Sequence, residues 1–258
     1  DWSSDLCSSD LTTWQEMNES NWQDWYKKVE QAFIELQNTC TRIFIAGFSM
    51  GGALALKLAQ IRGSEIEGLI LLNASIHDRR FILKLTPLLK YIVPSIKKGP
   101  TDIAKPNPPK HSYGRTPLKA LDSLRKLWKS VEKDLYLIDL PLLIAYSDND
   151  HAVDPENSFT IVDNVSSADI REVVFNKSFH NVPLDYDLDI LNFESKSFIE
   201  DVLAGKLKRS SEFNELDLVD AEFDSIVSSL SLDEAAPTTY LDQLEQIEIT
   251  DRKSTRLN

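Results

Sequence analysis

Lysine and arginine are missing from Ser210 to Asp251, a stretch that holds twelve Asp or Glu and so carries −12 of the chain's formal net charge of −13. The rest of the 258 residues is nearly neutral. A protein whose main partner is nucleic acid clusters Lys and Arg against the phosphates, so this balance excludes that class. Long apolar runs are missing too: none approaches the roughly 18 residues that make a bilayer-spanning helix. Cysteine occurs twice, as Cys7 and Cys40, too few for a disulfide framework and without the spacing of a metal site. A reducing, cytoplasmic setting is the simpler reading, Cys40 is expected as a small buried apolar residue, and neither metal nor organic cofactor is expected. Histidine is scarce, with four in all, which narrows the search for a general base.

What is present fits one large α/β domain with a sizeable core. Trp22, Trp25, Tyr26, Val29, Phe33 and Leu36 form a helical stripe that predicts a helix over 21–37, the tryptophans serving as packing groups. Short apolar runs at 43–46 (IFIA), 68–72 (GLILL), 141–146 (PLLIAY) and 171–175 (REVVF) predict buried strands. Helices are expected from Met50, after Asp154-Pro155, and over 187–203. Strands alternating with helices imply a parallel sheet covered on both faces.

Two segments break this rhythm, and the two ends of the chain stand apart from it. Between Ser75 and Leu140 no strand is apparent. Instead two apolar helical patterns, around 80–93 and 117–131, flank a proline-rich connection, GPTDIAKPNPPKHSYGRTP, so that about 76–135 reads as a helical lid. Residues 206–251 read as a largely disordered acidic tail in which Phe213, Leu216, Val219, Phe223, Ile226, Val227 and Leu230 suit one amphipathic helix. That tail is either a solubilising segment or a docking helix for a protein partner, and its charge disfavours anionic membranes. The ends, SSDLCSSDL within 1–11 and DRKSTRLN with its basic turn over 252–258, read as vector or adapter sequence rather than domain edges.

The chemistry centres on Gly47-Phe48-Ser49-Met50-Gly51, a G-x-S-x-G turn from strand to helix. A serine hydroxyl is a poor nucleophile until a base lies in hydrogen-bond reach and a partner fixes that base's tautomer. In a nucleophile elbow the serine takes a strained backbone conformation above the sheet. Gly47 and Gly51 are expected to permit the close approach of strand and helix, and the Met50 N–H at the helix N-terminus can meet a developing oxyanion. The motif orders its partners as Ser, acid, His. After the third strand come Asp148, Asp150 and Asp154. Asp154 suits a helix cap, and Asp150 in the loop is the choice, with Asp148 its rival. His180 follows the fourth strand, where the base is required. His77, His111 and His151 are expected to be structural or solvated.

On these residues the sequence resembles a known family. AGFSMGGALALKLA, GLILLNAS, PLLIAYSDNDHAVDP and NKSFHNVPLDYD, with the leading TTWQEMNESNWQDWYKKVEQAF, are similar to the bacterial carboxylesterase and thermostable monoacylglycerol lipase family of α/β-hydrolases, over Thr13 to Leu203. The resemblance implies a triad of Ser49, Asp150 and His180, a lid over an acyl pocket, and hydrolysis of short- to medium-chain esters or monoacylglycerols. The family's first strands and its His-Gly-Phe type loop, which supplies a second oxyanion donor, have no counterpart in residues 1–20. The chain therefore reads as truncated at the front, with an open sheet edge, poor solubility and weak or no activity. Leu88 and Trp128 on the lid helices are candidates for the acyl pocket, core packing being the competing explanation. An acyltransferase or thioesterase would use the same triad, and a non-catalytic binding protein is the reading from another class.

Overall fold

The computed structural model describes residues 13–108 and 114–212. The leader 1–11, His111, the expected tail helix and the 252–258 end lie outside the described residues.

The chain opens with α1 (Trp14–Glu19), closed by a capping box in which Thr13 and Glu16 satisfy each other's backbone N–H groups. In α2 (Trp22–Gln37), Asn21 is the cap rather than the first helical residue, its side chain accepting from Gln23 and Asp24, and the apolar stripe buries Trp25, Ala32 and Phe33. Then come β1 (Phe44–Phe48), α3 (Met50–Arg62) and β2 (Gly68–Leu72), all five of whose residues are buried. The insertion contains α4 (Phe81–Leu89), β3 (Ser95–Lys97), β4 (Arg115–Pro117) and α5 (Leu118–Lys133). Finally β5 (Leu142–Ser147), α6 (Glu156–Asn164), β6 (Ile170–Phe175) and α7 (Leu188–Leu203) complete the order.

Four strands pair in parallel in the order β1-β2-β5-β6. Alternation then sorts side chains to two faces. Leu69, Leu71, Leu142 and Ile144 point into one cluster with α2, α3 and α5, whereas Ile70, Leu72, Leu143 and Ala145 meet Phe198 and Val202 of α7 in the other. Because both faces are covered, the strands read as unbroken apolar runs.

Several expectations change. Residues 95–97 and 115–117 pair antiparallel inside the insertion, where no strand was apparent. The second half of the expected lid belongs to the core: Leu127, Trp128 and Val131 of α5 are buried against α3. Residues 206–212, expected in the tail, are tied to the domain, since Arg209 bonds Asp139 and the carbonyls of Gly63 (2.7 Å) and Ile66 (3.0 Å). Cys40 is exposed rather than buried, because its turn lies outside the packed strand that follows. Asp154 accepts from the Glu156 N–H at 3.0 Å, but Pro155 is the N-cap, so the helix starts one residue later than the Pro suggested.

Two glycines permit the close packing of α3, one of them unexpected: Gly47 lies against the helix from β1, and Gly52 lies against Ala74 just after β2. A Cβ on Gly47 would lie 2.6 Å from the Gly51 carbonyl, and one on Gly52 would lie 2.5 Å from the Ala74 Cβ, while Gly51 has open space around it. We expect Gly52→Ala to lower thermal stability through overpacking of about 1–3 kcal/mol, and Gly51→Ala to be neutral or stabilising by up to about 1 kcal/mol. A lower melting temperature for Gly52→Ala, with that of Gly51→Ala unchanged or raised, would verify the contrast.

Within the insertion, Asp122 of α5 is buried and receives Lys90 Nζ at 2.6 Å, joining the end of α4 to α5. Burial alone would push its carboxyl up, but the hydrogen bond and charge of Lys90, with Lys126 behind, outweigh that and hold it below the ordinary value of 3.8. The folded pKa is below the unfolded one, so this stabilisation is complete above the unfolded value and drains away as pH falls through the folded value. Asp122→Asn should lose about 2 kcal/mol at neutral pH. Denaturant titrations should show the gap to the parent narrowing as pH drops below 3.8.

Candidate active site

Residues just beyond the carboxyl ends of the four parallel strands, Ser49, Asn73, Asp150 and His180, are joined by hydrogen bonds. At the end of β1, Ser49 has φ 53° and ψ −119°, a left-handed backbone that costs a non-glycine residue on the order of 1–3 kcal/mol. Its neighbours hold it there: its N–H donates to Leu72 O at 3.0 Å, and its carbonyl accepts from Gly52 and Ser75, each at 3.0 Å. The hydroxyl is thereby turned away from the sheet. Met50 is the first residue of α3, where a backbone N–H has no helical acceptor and the helix dipole favours negative charge.

His180 Nε2 lies 3.0 Å from Ser49 Oγ, and His180 Nδ1 lies 2.6 Å from Asp150 Oδ2. An ionised carboxylate can only accept, so Nδ1 carries the proton and Nε2 offers its lone pair to the serine. The other Asp150 oxygen accepts the N–H groups of Ala152 and Val153, each at 2.8 Å. The Asp150 side chain is 1% exposed and that of His180 10%, so this pair sits in a weakly screened environment. The Phe48 ring packs on the imidazole at 4.9 Å between centroids. Ser49, Asp150 and His180 are thus brought together. Asp148 is exposed, and its N–H continues the ladder to Phe175 O.

The remaining described histidines lie elsewhere. The His77 N–H donates to Asn157 Oδ1 at 2.8 Å, and its ring Nε2 is buried with no hydrogen-bond partner among the described residues. The His151 ring is largely exposed and meets Asp102 Oδ1 at 2.8 Å.

Two further residues brace the site. Asn73, buried at the end of β2 with φ 42°, donates from Nδ2 to His180 O at 2.6 Å and accepts at Oδ1 from Ser147 N–H at 2.9 Å. One amide therefore spans the strand that leads to Asp150 and the loop that carries His180. A polar residue directly after the GLILL run was the available signal, since Asn tolerates the left-handed region. Asp187 accepts the N–H groups of Lys177 and Ser178 at 3.0 and 2.8 Å, fixing the start of the base loop.

A largely apolar cavity of about 280 Å³ is lined by Met50, the residue after the serine, together with Met17, Trp25, Ala120, Leu121, Leu124, Lys98 and Arg115. Leu88 and Trp128, the expected pocket residues, are not in it: Leu88 is 70% exposed and Trp128 is buried in the core. A second cavity, of about 340 Å³, is lined by Asp150 and the residues after it together with His77, Asp78 and Arg80, and Ser49 lines neither cavity. No group of acidic, His or Cys side chains among the described residues could hold a metal ion, and no described helix is long and apolar enough to cross a membrane.

Sheet order, elbow and the serine, histidine and aspartate at the strand ends define the α/β-hydrolase class. A protein-family model described as serine aminopeptidase, S33, matches residues 13–187, and the chain belongs to that family of hydrolases, whose curated relatives here are an esterase and a lipase. The thermostable monoacylglycerol lipase of Bacillus sp. (strain H-257) is 32% identical over 72% of this chain and 74% of its own. The carboxylesterase of Bacillus subtilis (strain 168) is 24% identical over 69% and 72%. Among solved structures, one reported for the metagenome-derived lipolytic enzymes LipS and LipT superposes with a TM-score of 0.71 at 27% identity, covering 74% of this chain and 78% of that one.

Removing the Asn73 side chain would strand a buried N–H on Ser147 and a carbonyl on His180. We expect Asn73→Ala to lose about 2–6 kcal/mol of unfolding free energy, at about 1–3 kcal/mol for each of the two orphaned groups. Urea titration measures this, and a loss under 1 kcal/mol would contradict the bridging role.

Proposed function

We propose that the chain hydrolyses carboxylic esters, short- to medium-chain esters or monoacylglycerols, through an acyl-enzyme on Ser49. The observation that carries this is the unbroken line from Asp150 Oδ2 to His180 Nδ1 at 2.6 Å and from His180 Nε2 to Ser49 Oγ at 3.0 Å, opening beside an apolar cavity that Met50 lines. The names of the relatives favour the same substrate class.

In this reading His180 takes the Ser49 proton as Oγ attacks the ester carbonyl, and Asp150 stabilises the imidazolium that forms. The Met50 N–H receives the oxyanion, an interaction that strengthens as charge develops. The imidazolium then protonates the departing alcohol. Water, deprotonated by His180 in the second half, attacks the acyl carbonyl, and collapse of that intermediate returns Ser49 and releases the acid. The acyl chain lies along Leu121 and Leu124, in a cavity at the small end of the roughly 300–1,000 Å³ range of ligand pockets. No step calls on a cofactor. Two cysteines and no disulfide framework favour a reducing, cytoplasmic setting.

Hydrolysis of a p-nitrophenyl ester series by the purified full chain tests this. Ser49→Ala or His180→Ala should cut kcat by on the order of 10⁴-fold or more, and a fluorophosphonate should label the parent protein on Ser49 and spare the alanine variant. Leu121→Trp, which fills the cavity, should lower kcat/KM for octanoate on the order of tenfold relative to acetate. Ester cleavage that survives Ser49→Ala would refute the assignment, and an unchanged chain-length profile would refute the acyl site.

A further inference from the structure

The proline-rich connection of the insertion, expected as part of the lid, reaches the loops that carry Asp150 and His180. Asp102, on that connection, turns its carboxylate toward both at once. Its Oδ2 accepts the backbone N–H of His151 at 2.9 Å and that of His180 at 3.2 Å, and its Oδ1 lies 2.8 Å from His151 Nδ1. His151 directly follows the acid, and His180 is the base itself. One carboxylate oxygen is therefore shared by the two loops whose spacing sets the Asp150–His180 contact. The Asp102 carbonyl adds two more ties, accepting from the Asn181 N–H and Nδ2, each at 3.1 Å.

The grip is returned from the other side. Asp185, fully buried beyond the base loop, accepts the N–H groups of Ala104 at 2.6 Å, Lys105 at 3.1 Å and Phe179 at 3.0 Å. Lys105 Nζ reaches the Asp185 carbonyl at 2.8 Å. Residues 102–105 and the loop 179–185 are thus latched in both directions. The His151 ring meets Phe179 edge-on at 4.6 Å, closing the third side.

We propose that Asp102 is a positioning residue for the base: it fixes the distance between the acid and base loops and makes the conformation of the insertion a determinant of triad geometry. This rests on the reading of Ser49, Asp150 and His180 as the triad. Displacements of about 1 Å in such a constellation can cost on the order of 100-fold in rate, whereas a purely structural tie alters how much protein is folded without altering turnover per folded molecule.

The test compares Asp102→Ala and Asp102→Asn with the parent full chain at matched folded fraction. It measures kcat and KM on p-nitrophenyl butyrate and the low-field proton resonance of the His180 Nδ1–H to Asp150 bond. Asp102→Ala is expected to lower kcat at least tenfold with KM changed less than threefold, and to shift or broaden the resonance. Asp102→Asn, which keeps one acceptor oxygen, should fall between and stands in where the alanine variant fails to fold. A kcat within twofold of the parent, or an unmoved resonance, overturns the proposal. Should the parent show no ester hydrolysis, the functional reading fails on its own and the resonance alone decides the positioning role: displaced in the variants, it stands; unmoved, it falls.

Discussion

A serine held in the left-handed region at the junction of a buried strand and a helix is the constraint from which the site follows. Ser49 cannot relax to an ordinary backbone conformation without breaking its ties to Leu72, Gly52 and Ser75, and these belong to the strand next door, to the helix and to the start of the insertion. The strain is sustained because three separate parts of the fold oppose its release. Gly47 lets β1 and α3 approach closely enough for the turn to form, and Gly52 lets α3 pack against Ala74 just after β2. The hydroxyl's exposure and the orientation of the helix N-terminus are then two results of one local geometry.

Around that point the loops are held by side chains bonding to backbone. Asn73, Asp102, Asp185 and Asp187 each accept main-chain N–H groups from the acid or base loops or from the connection beside them. Loops that leave a sheet carry unsatisfied peptide groups, and burying those groups requires partners. Buried carboxylates meet that need in a compact way, since each has two oxygens and several lone pairs. The same bonds that satisfy the backbone also determine where His180 stands.

Much of this was legible in the sequence. The strands were readable because parallel strands buried on both faces need contiguous apolar runs, and GLILL and PLLIAY are such runs. The elbow was readable because few strand-to-helix turns place a serine between glycines. The choice of Gly51 as the contact glycine failed because helical phase decides it, and one residue of phase is not readable from composition: Gly52 faces Ala74 and Gly51 faces open space. Trp128 was ambiguous for a similar reason, since a strongly amphipathic helix presents the same stripe to a core as to a ligand. The partners of Asn73 and Asp102 were illegible because they lie tens of residues away along the chain, and proline-rich composition says what a segment cannot form without saying what it touches.

The insertion leaves the sheet at the end of β2 and re-enters at the start of β5, two neighbouring strands whose pairing is indifferent to the length of what joins them. Closing a longer loop is cheap, about 0.6 kcal/mol for each doubling. Cavity-lining residues such as Leu121 and Leu124 ride on that detour, whereas Ser49, Asp150 and His180 ride on strand ends outside it. On the proposed function, such a chain can exchange its selectivity cassette while leaving its reactive machinery in register, provided each replacement still delivers an acceptor to the spot that Asp102 now fills.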